Sequence, residues 1–362
     1  MQPLRVITQT EVTPMDCLAS TAYLMEAMQK GRTQGAPILI ITRPETDALI
    51  LGRFQRPSSA LKLDACEAEG VPRLRRLTGG STAMLGAGRL HLALVLKNRN
   101  SPLECEPRQF LQRYGAGVIR ALSQLGLKAR YHGKDLVSAE DRPIGVMSFE
   151  LYPDGPALLE VSLGVTSPWH PEPALVAYPP RAKDESSAAR PSSLAQELAE
   201  DGLSGLDSCL VEAYAELLEA TPEQREFTPL ETARITSLHH RVEVVEDSHD
   251  KRPAYLKAWD SRLVEEAIGF VEASVRLTQG RFIRDVRIYG DFMADTAGME
   301  DLQEKLKMVP VKRRPVALVI DDVLGAPEHV IMGIRRLGSI LEAILDASRR
   351  ASEEGVTSKK KG

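Results

Sequence analysis

Arg75-Arg76-Leu77-Thr78-Gly79-Gly80-Ser81-Thr82-Ala83 is the stretch on which the reading of this chain turns. Two arginines, a hydroxyl residue and paired glycines lie between apolar segments near Val71 and at residues 90–96. Adjacent glycines allow positive φ and a close backbone approach to a ligand. Successive N–H groups in such a turn form an anion-binding nest. An arginine beside it adds a planar, permanently charged fork suited to phosphate or carboxylate. A phosphate-bearing small molecule fits these residue types. The same residues also fit a hairpin turn flanked by two solvated arginines, and the local stretch leaves both readings open.

The bulk of the chain narrows the choice. Its 362 residues suffice for two domains, at roughly 150 residues each. Apolar residues make up 43% and charged residues 27%, the composition of a globular protein. The net charge is −4, from 46 basic and 50 acidic side chains, so no large cationic field points to nucleic acid as the partner. Met1-Gln2-Pro3-Leu4-Arg5 lacks the apolar core of a signal peptide. No apolar run approaches the roughly 18 residues of a membrane span, so no membrane partner is expected. Cys17, Cys66, Cys105 and Cys209 show no close metal-type spacing and read as reduced thiols of a cytoplasmic protein.

Working outward from the glycines, residues 14–30 carry Leu18, Ala22, Met25 and Met28 at helical spacing behind Pro14. Pro37-Ile38-Leu39-Ile40-Ile41 and Ala48-Leu49-Ile50-Leu51 read as strands, and residues 61–69 as a short helix closed by Gly70. Residues 91–96 predict a strand, 107–125 an amphipathic helix, and 135–137, 145–151 and 158–165 further strands. Strands joined directly to strands, with helices between some of them, argue for a mixed α+β layer rather than a doubly wound parallel sheet. Residues 167–200, rich in Pro, Ala and Ser, predict a long loop, followed by a helix over 206–220. Thr221-Pro222-Glu223 has the form of another helix start.

The charged stretch 225–257 holds His239, His240 and His249 near Glu243, Glu246 and Asp247 without regular ligand spacing, which favours a solvated linker over a metal site. Beyond Arg262 the expected order is strand, hairpin at Gly280, strand, helix, strand, helix. There Pro315-Val316-Ala317-Leu318-Val319-Ile320 is a buried apolar run and residues 331–345 are the last helix. The predicted division is a first domain at 1–225, a linker at 226–257, a second domain at 258–348 and a flexible tail at 349–362.

Ile50-Leu51-Gly52-Arg53-Phe54-Gln55, the arginine–glycine stretch, Gly133-Lys134-Asp135-Leu136 and Ile144-Gly145 stand in an order that resembles the lipoate–protein ligase family. That family is related to biotin ligases and octanoyltransferases. Its pattern is Gly-Arg-x-Gln, then Arg-Arg-x-Ser/Thr-Gly-Gly-Gly, then a Gly-Arg-Asn-Asp-like segment before Lys-x-x-Gly. A second block, Gly280-Arg281-Phe282-Ile283-Arg284-Asp285-Val286-Arg287-Ile288-Tyr289-Gly290-Asp291-Phe292, resembles the start of the family's small accessory domain.

The resemblance implies an α+β fold of the class II synthetase-like biotin/lipoate ligase type, with a mixed or antiparallel sheet and a small α/β C-terminal domain. It also implies an ATP-dependent reaction, with Mg²⁺, in which lipoate forms lipoyl-AMP and a lysine of a lipoyl domain then takes the acyl group. Residue by residue, Arg76 matches the arginine that faces the nucleotide. Gly79 and Gly80 match the first two glycines, and Ser81, Thr82, Ala83 and Met84 match the strand over the adenylate. Ala83, Met84 and Leu85 would form apolar walls for the acyl chain.

The departures from the pattern carry expectations of their own. Ser81 replaces the third glycine, which would make positive φ costly there. Leu85 stands where the family has histidine, and Arg89 stands near its asparagine. The family's catalytic lysine falls at Arg142 when Gly145 is aligned to Lys-x-x-Gly, and at Pro143 in an ungapped register. The Arg142 register keeps a cation and is preferred. No cysteine lies between Glu106 and Leu203, which argues against a thioester route. A non-catalytic family member acting as a binding or regulatory protein is the alternative.

Overall fold

Thr13 and Pro14 end the first strand and begin the first helix of a computed structural model that describes residues 2–98, 100–153, 155–177, 191–198, 202–244, 258–266 and 269–359. Strand β1 (Gln2–Val12) leads into helix α1 (Pro14–Gln29). Thr13 Oγ1 accepts the Asp16 N–H at 3.0 Å, and Pro14 takes the first helical position, as predicted. Strands β2 (Ile38–Pro44) and β3 (Ala48–Leu51) follow, then short helices α2 (Pro57–Ala60) and α3 (Leu63–Ala68). Strands β4 (Arg73–Arg75) and β5 (Ala83–Leu85) flank the glycine turn. Next come β6 (Arg89–Lys97), α4 (Phe110–Gln124), β7 (Ala129–His132), β8 (Leu136–Ala139), β9 (Arg142–Leu151) and β10 (Pro156–Gly164). Helices α5 (Leu194–Glu197) and α6 (Leu206–Leu217), strand β11 (Ala220–Gln224) and helix α7 (Pro229–Ser237) complete this part.

Among the described residues, eight of these strands form one sheet in the order β11-β1-β2-β6-β10-β9-β8-β7. The β11–β1 and β1–β2 pairs are parallel and the others antiparallel, which makes the sheet mixed, as expected for an α+β fold. Strand alternation divides its side chains between two faces. Ile38, Ile40, Ala93, Val95 and Leu158 pack with Ala22, Met25 and Met28 of α1. On the opposite face, Phe149, paired with Leu159, meets Phe110 of α4. Helix α6 lies on α4, where the Tyr214 ring would stand 2.6 Å from a Cβ at Gly117. Strands β4, β3 and β5 form a separate small sheet, in that order.

The chain divides into two compact units, Met1–Arg53 with Pro57–Val244, and Phe54–Arg56 with Val245–Gly362. The second unit is built on β12 (Trp259–Asp260), β13 (Val264–Glu266), β14 (Gly269–Thr278) and β15 (Phe282–Gly290), with β14 at the centre. Strand β16 (Met293–Ala294), helices α8 (Thr296–Lys305) and α9 (Arg313–Leu324), strand β17 (Ile331–Met332) and helix α10 (Gly338–Lys359) follow. Its core joins Val271, Ile288, Phe292, Met299, Ile320 and Ile344, among others. The tripeptide from earlier in the chain belongs here. Phe54 stacks on Phe292 at 5.1 Å, its carbonyl accepts the Gly290 N–H, and Arg56 pairs with Asp260 at 2.7 Å and lies over the Tyr289 ring.

Four expectations give way. Residues 221–223 are not a helix start but part of β11, which pairs with β1 through Leu4↔Pro222. Pro222 is tolerated because β11 is an edge strand and has no outer partner for the missing N–H. The helix begins instead at Pro229, where Thr228 and Glu231 form a capping box. The predicted linker at 226–257 therefore carries α7, and the unit boundary falls after Val244. Residues 315–320 are helical. Val316, Ile320 and Val323 are buried while Leu318 is 61% exposed, a period of 3.6 that the run of apolar letters hid. Helix α10 runs to Lys359, into the stretch expected to be a tail. His249, Glu246 and Asp247 lie outside the described residues.

Candidate functional site

The glycine turn is laid onto the end of β3. Leu51 pairs with Arg75, the Arg76 N–H donates to the Leu51 carbonyl at 3.1 Å, and the Arg53 N–H donates to the Thr78 carbonyl at 2.8 Å. Two glycines make this approach possible. Gly80 has φ +91°, a conformation that disfavours a side chain. Gly52 faces it so closely that a Cβ there would lie 2.2 Å from the Gly80 carbonyl oxygen. Arg75 donates to the carbonyls of Gly52 and Arg53 at 2.9 and 3.0 Å and fastens the same contact from outside.

Arg76 holds the turn from within. It is 5% exposed, and its guanidinium donates to Thr78 Oγ1 (3.0 Å) and to the carbonyls of Gly79 (2.5 Å), Ser81 (2.9 Å) and Ile50 (3.4 Å). Burial pushes its pKa below the ordinary arginine value, against the pull of Glu160 and Asp135.

Thr78 is the junction beneath the turn. Its hydroxyl reaches Glu160 Oε2 at 2.6 Å and Ser148 Oγ at 2.7 Å. Glu160 is 2% exposed, and burial raises its carboxyl pKa. His91 lies 3.6 Å from Glu160 Oε1 and is 1% exposed. Burial, with the Arg76 charge, holds its pKa down at about 3, so the imidazole is neutral at physiological pH. Neither ring nitrogen of His91, nor Glu160 Oε1, has a hydrogen-bond partner among the described residues.

Ser81 closes the turn on its far side. Its backbone is not left-handed, so the expected strain of a serine at this point does not arise. Instead its hydroxyl and N–H donate to Asp135 Oδ2 at 2.8 and 3.3 Å. The Lys134 ammonium lies 3.8 Å from the same oxygen, with its side chain wholly buried. Thr82 is 8% exposed. Ala83 packs with Val146 and Trp169, while Met84 packs with Leu49 and Leu51, so adjacent residues of β5 serve different apolar clusters.

The structure thus gathers Arg76, Gly79, Gly80 and Ser81 with Asp135 and Lys134. Arg142 is the first residue of β9, its side chain is 53% exposed, and its guanidinium pairs with Glu197 at 2.6 Å. Sequence reasoning quoted Lys134 and Asp135 within a motif without giving them a role. His91, Ser148 and Glu160 entered only as positions in predicted strands. A single acid in the apolar run Leu158-Leu159-Glu160-Val161 was the available signal. Among the described residues, no three His, Cys, Asp or Glu side chains cluster as metal ligands, and no helix is long and apolar enough to cross a membrane.

Residues 13–152 match the family described as the lipoyl protein ligase A/B catalytic domain. Over 126 residues the chain is 31% identical to octanoyltransferase LipM of an Exiguobacterium species, and over 102 residues it is 32% identical to the LipM of Exiguobacterium sibiricum. These matches span 34% and 28% of this chain but only 45% and 33% of the two relatives, less than half of their length. The fold is shared with Plasmodium falciparum LipL1, solved in complex with lipoate, at TM-score 0.68 and 14% identity over 95% of this chain and 99% of that one. It is also shared with a bi-partite lipoate protein ligase from Thermoplasma acidophilum, at TM-score 0.53 and 20% identity over 67% and 93%.

Proposed function

We propose that this chain, whose residues 13–152 match the lipoyl protein ligase A/B catalytic domain, activates lipoate with ATP and transfers the lipoyl group to a lysine of a lipoyl domain. The observation that carries this reading is the glycine turn, held by Arg76 and closed by Ser81 on Asp135. In the first step a lipoate carboxylate oxygen attacks the α-phosphorus of ATP, and the bond to pyrophosphate breaks. In the second step the acceptor's lysine amine attacks the acyl carbon. AMP leaves with the acyl C–O electron pair, and the amine gives up its proton to solvent or to the departing phosphate.

Both steps place negative charge on oxygens at the turn, and fixed donors in a water-excluded setting stabilise such charge most effectively. Arg76 and the Ser81–Asp135 contact fix the backbone that would present those donors. Mg²⁺ would be carried on the nucleotide phosphates, its common mode of binding, with Asp135, the carboxylate bonded to Ser81, and Glu160, the one bonded to Thr78, at the turn. The reading places the reaction in the cytoplasm.

The test is incubation of the purified full chain with ATP, Mg²⁺, lipoate and a lipoyl domain. Lipoylation of the domain by mass spectrometry, with AMP and pyrophosphate released, is the expected result. Adenylate binding without turnover would favour a non-catalytic binding protein. That second reading draws on Arg142, the residue in the family lysine's register, being paired to Glu197. Transfer of octanoate in preference to lipoate would correct the substrate and leave the chemistry.

A further inference from the structure

The hairpin at Gly280 leads into β15, whose first residues are joined along their outer edge by residues 308–311. The Val311 N–H donates to the Arg281 carbonyl at 2.9 Å, the Ile283 N–H to the Val309 carbonyl at 3.0 Å, and the Met308 N–H to the Ile283 carbonyl at 2.7 Å. Helix α9 starts directly after this ribbon. Arg281, Arg284, Lys312, Arg313 and Arg314 are thereby gathered at one place on the second unit, and all five are exposed. They make no ion pair among the described residues. Arg276, Lys305 and Lys307 of the same unit, by contrast, are paired to Asp285, Asp301 and Glu304.

Local physics works against these residues at these positions. Lys312, Arg313 and Arg314 stand at the N-terminus of α9, where the helix dipole favours acids, and no side chain caps the helix there. Arg284 is the extra residue of a bulge, since Arg276 pairs with Asp285 and Leu277 with Ile283. Met308 holds φ +62°, where glycine or asparagine is the usual residue after a helix, and it is 62% exposed. Cations at a helix start and a left-handed methionine both cost the free protein, and a partner that uses them accounts for that cost. Arginine and methionine are enriched where proteins meet proteins. These six residues include no aromatic ring to stack on bases, and a chain of net charge −4 has no broad cationic field for nucleic acid. One exposed methionine is too little apolar surface to enter a bilayer.

We propose that this surface docks an acidic face of the lipoyl-domain acceptor, with the five cations supplying charge and Met308 the apolar contact. The identity of the acceptor rests on the ligase reading above. The docking concerns how the acceptor is held and leaves the activation of lipoate untouched. Exposed charges of this kind act on the rate of encounter and make it salt-dependent.

The experiment compares the native full chain with Arg313→Glu/Arg314→Glu, with a second variant, Arg284→Glu/Met308→Asn, and with a control that changes charge equally in the first unit, Arg120→Glu/Arg234→Glu. A lipoyl domain is titrated into each, without ATP, at low and at physiological ionic strength. Lipoate-dependent ATP–pyrophosphate exchange and Tm are measured alongside. The expected result is a Kd raised at least about fivefold in Arg313→Glu/Arg314→Glu, the sum of several exposed pairs turned to repulsion, with exchange unchanged. Tm should hold or rise, because glutamate at the start of α9 suits the helix dipole. Weaker binding by a protein as stable as the native one is not the result of unfolding.

A rise in Kd of less than about fivefold overturns the inference. So does an equal loss in the control, a native affinity that salt leaves unchanged, or no binding of the lipoyl domain by the native chain. Tighter binding of single-stranded RNA or phosphatidylserine vesicles than of the lipoyl domain, lost in Arg313→Glu/Arg314→Glu, overturns it as well. Should that variant fail to fold or melt well below the native chain, Arg284→Glu/Met308→Asn decides by the same measure, since asparagine suits a left-handed backbone. Absence of exchange in the native chain removes the ligase reading instead, and the titration still decides the docking surface.

Discussion

Gly52 works by having no side chain. A methyl group there would sit 2.2 Å from the Gly80 carbonyl oxygen, which is backbone and cannot swing aside. Gly52→Ala is therefore expected to push the end of β3 off the glycine turn, costing about 1–3 kcal/mol of stability by overpacking and, under the proposed function, most of the lipoyl transfer. Chemical denaturation and the transfer assay measure the two effects. His91 gives a prediction with a sign. Its pKa falls from 6.5 to about 3 on burial, so an unfolded chain takes up a proton below pH 6.5 that the folded one refuses. Stability is then lost as pH falls from 6.5 towards 3, by up to about 1.4 kcal/mol per pH unit. His91→Asn should flatten that acid limb of a denaturation series, and an unchanged limb would refute the assignment. Burial likewise pushes the Cys17 thiol to about 12, beside Thr42. Iodoacetamide at pH 8 is expected to spare Cys17 in the folded protein while alkylating the half-buried Cys105 and Cys209. At this scale the glycines and Arg76 were legible because their residue types announce a close-packed turn. Lys134 was not, because nothing beside it in the sequence says that it is buried, and Glu160 showed only as a lone acid in an apolar run.

Elements were legible where one period ran undisturbed. Helix α1 followed from its apolar spacing behind Pro14, and the sheet strands followed from short β-branched and leucine runs. Two readings failed for a common reason, which is that tertiary neighbours outrank local composition. Residues 221–223 look like a helix start until β1 offers them a parallel partner. Residues 315–320 look like a buried strand until the exposure of Leu318 reveals one wet face. Helix contacts carry their own test. The Tyr214 ring fills the space over Gly117, with a ring carbon 2.6 Å from where a Cβ would stand. Gly117→Ala has a better helix propensity, worth up to about 1 kcal/mol, yet should destabilise the protein by about 1–3 kcal/mol because α6 must move. A gain in Tm would show that the Tyr214 ring can turn away at little cost.

The whole molecule divides where a linear reading cannot see it. Sequence patterning located a change near residue 225 and a second pattern from 258, whereas the units part after Val244 and exchange a tripeptide near residue 54. That exchange was invisible because Phe54-Gln55-Arg56 sits inside a motif whose glycine and arginine belong to the turn. The second unit needs the tripeptide. Phe54→Ala removes the ring stacked on Phe292 and is expected to cost about 2–3 kcal/mol, somewhat less than a fully buried phenylalanine. A chain restricted to residues 245–362 should unfold at lower denaturant than the same region within the full protein, and equal midpoints would contradict that role.

The tripeptide also sets an order of events during synthesis. Phe54 and Arg56 leave the ribosome long before Phe292, Asp260 and Tyr289 exist. Contacts so distant in sequence form late and slowly. The nascent chain must therefore carry Phe54 and Arg56 without these partners until residues 260–292 have been made. A later segment then closes a core whose first part was made much earlier.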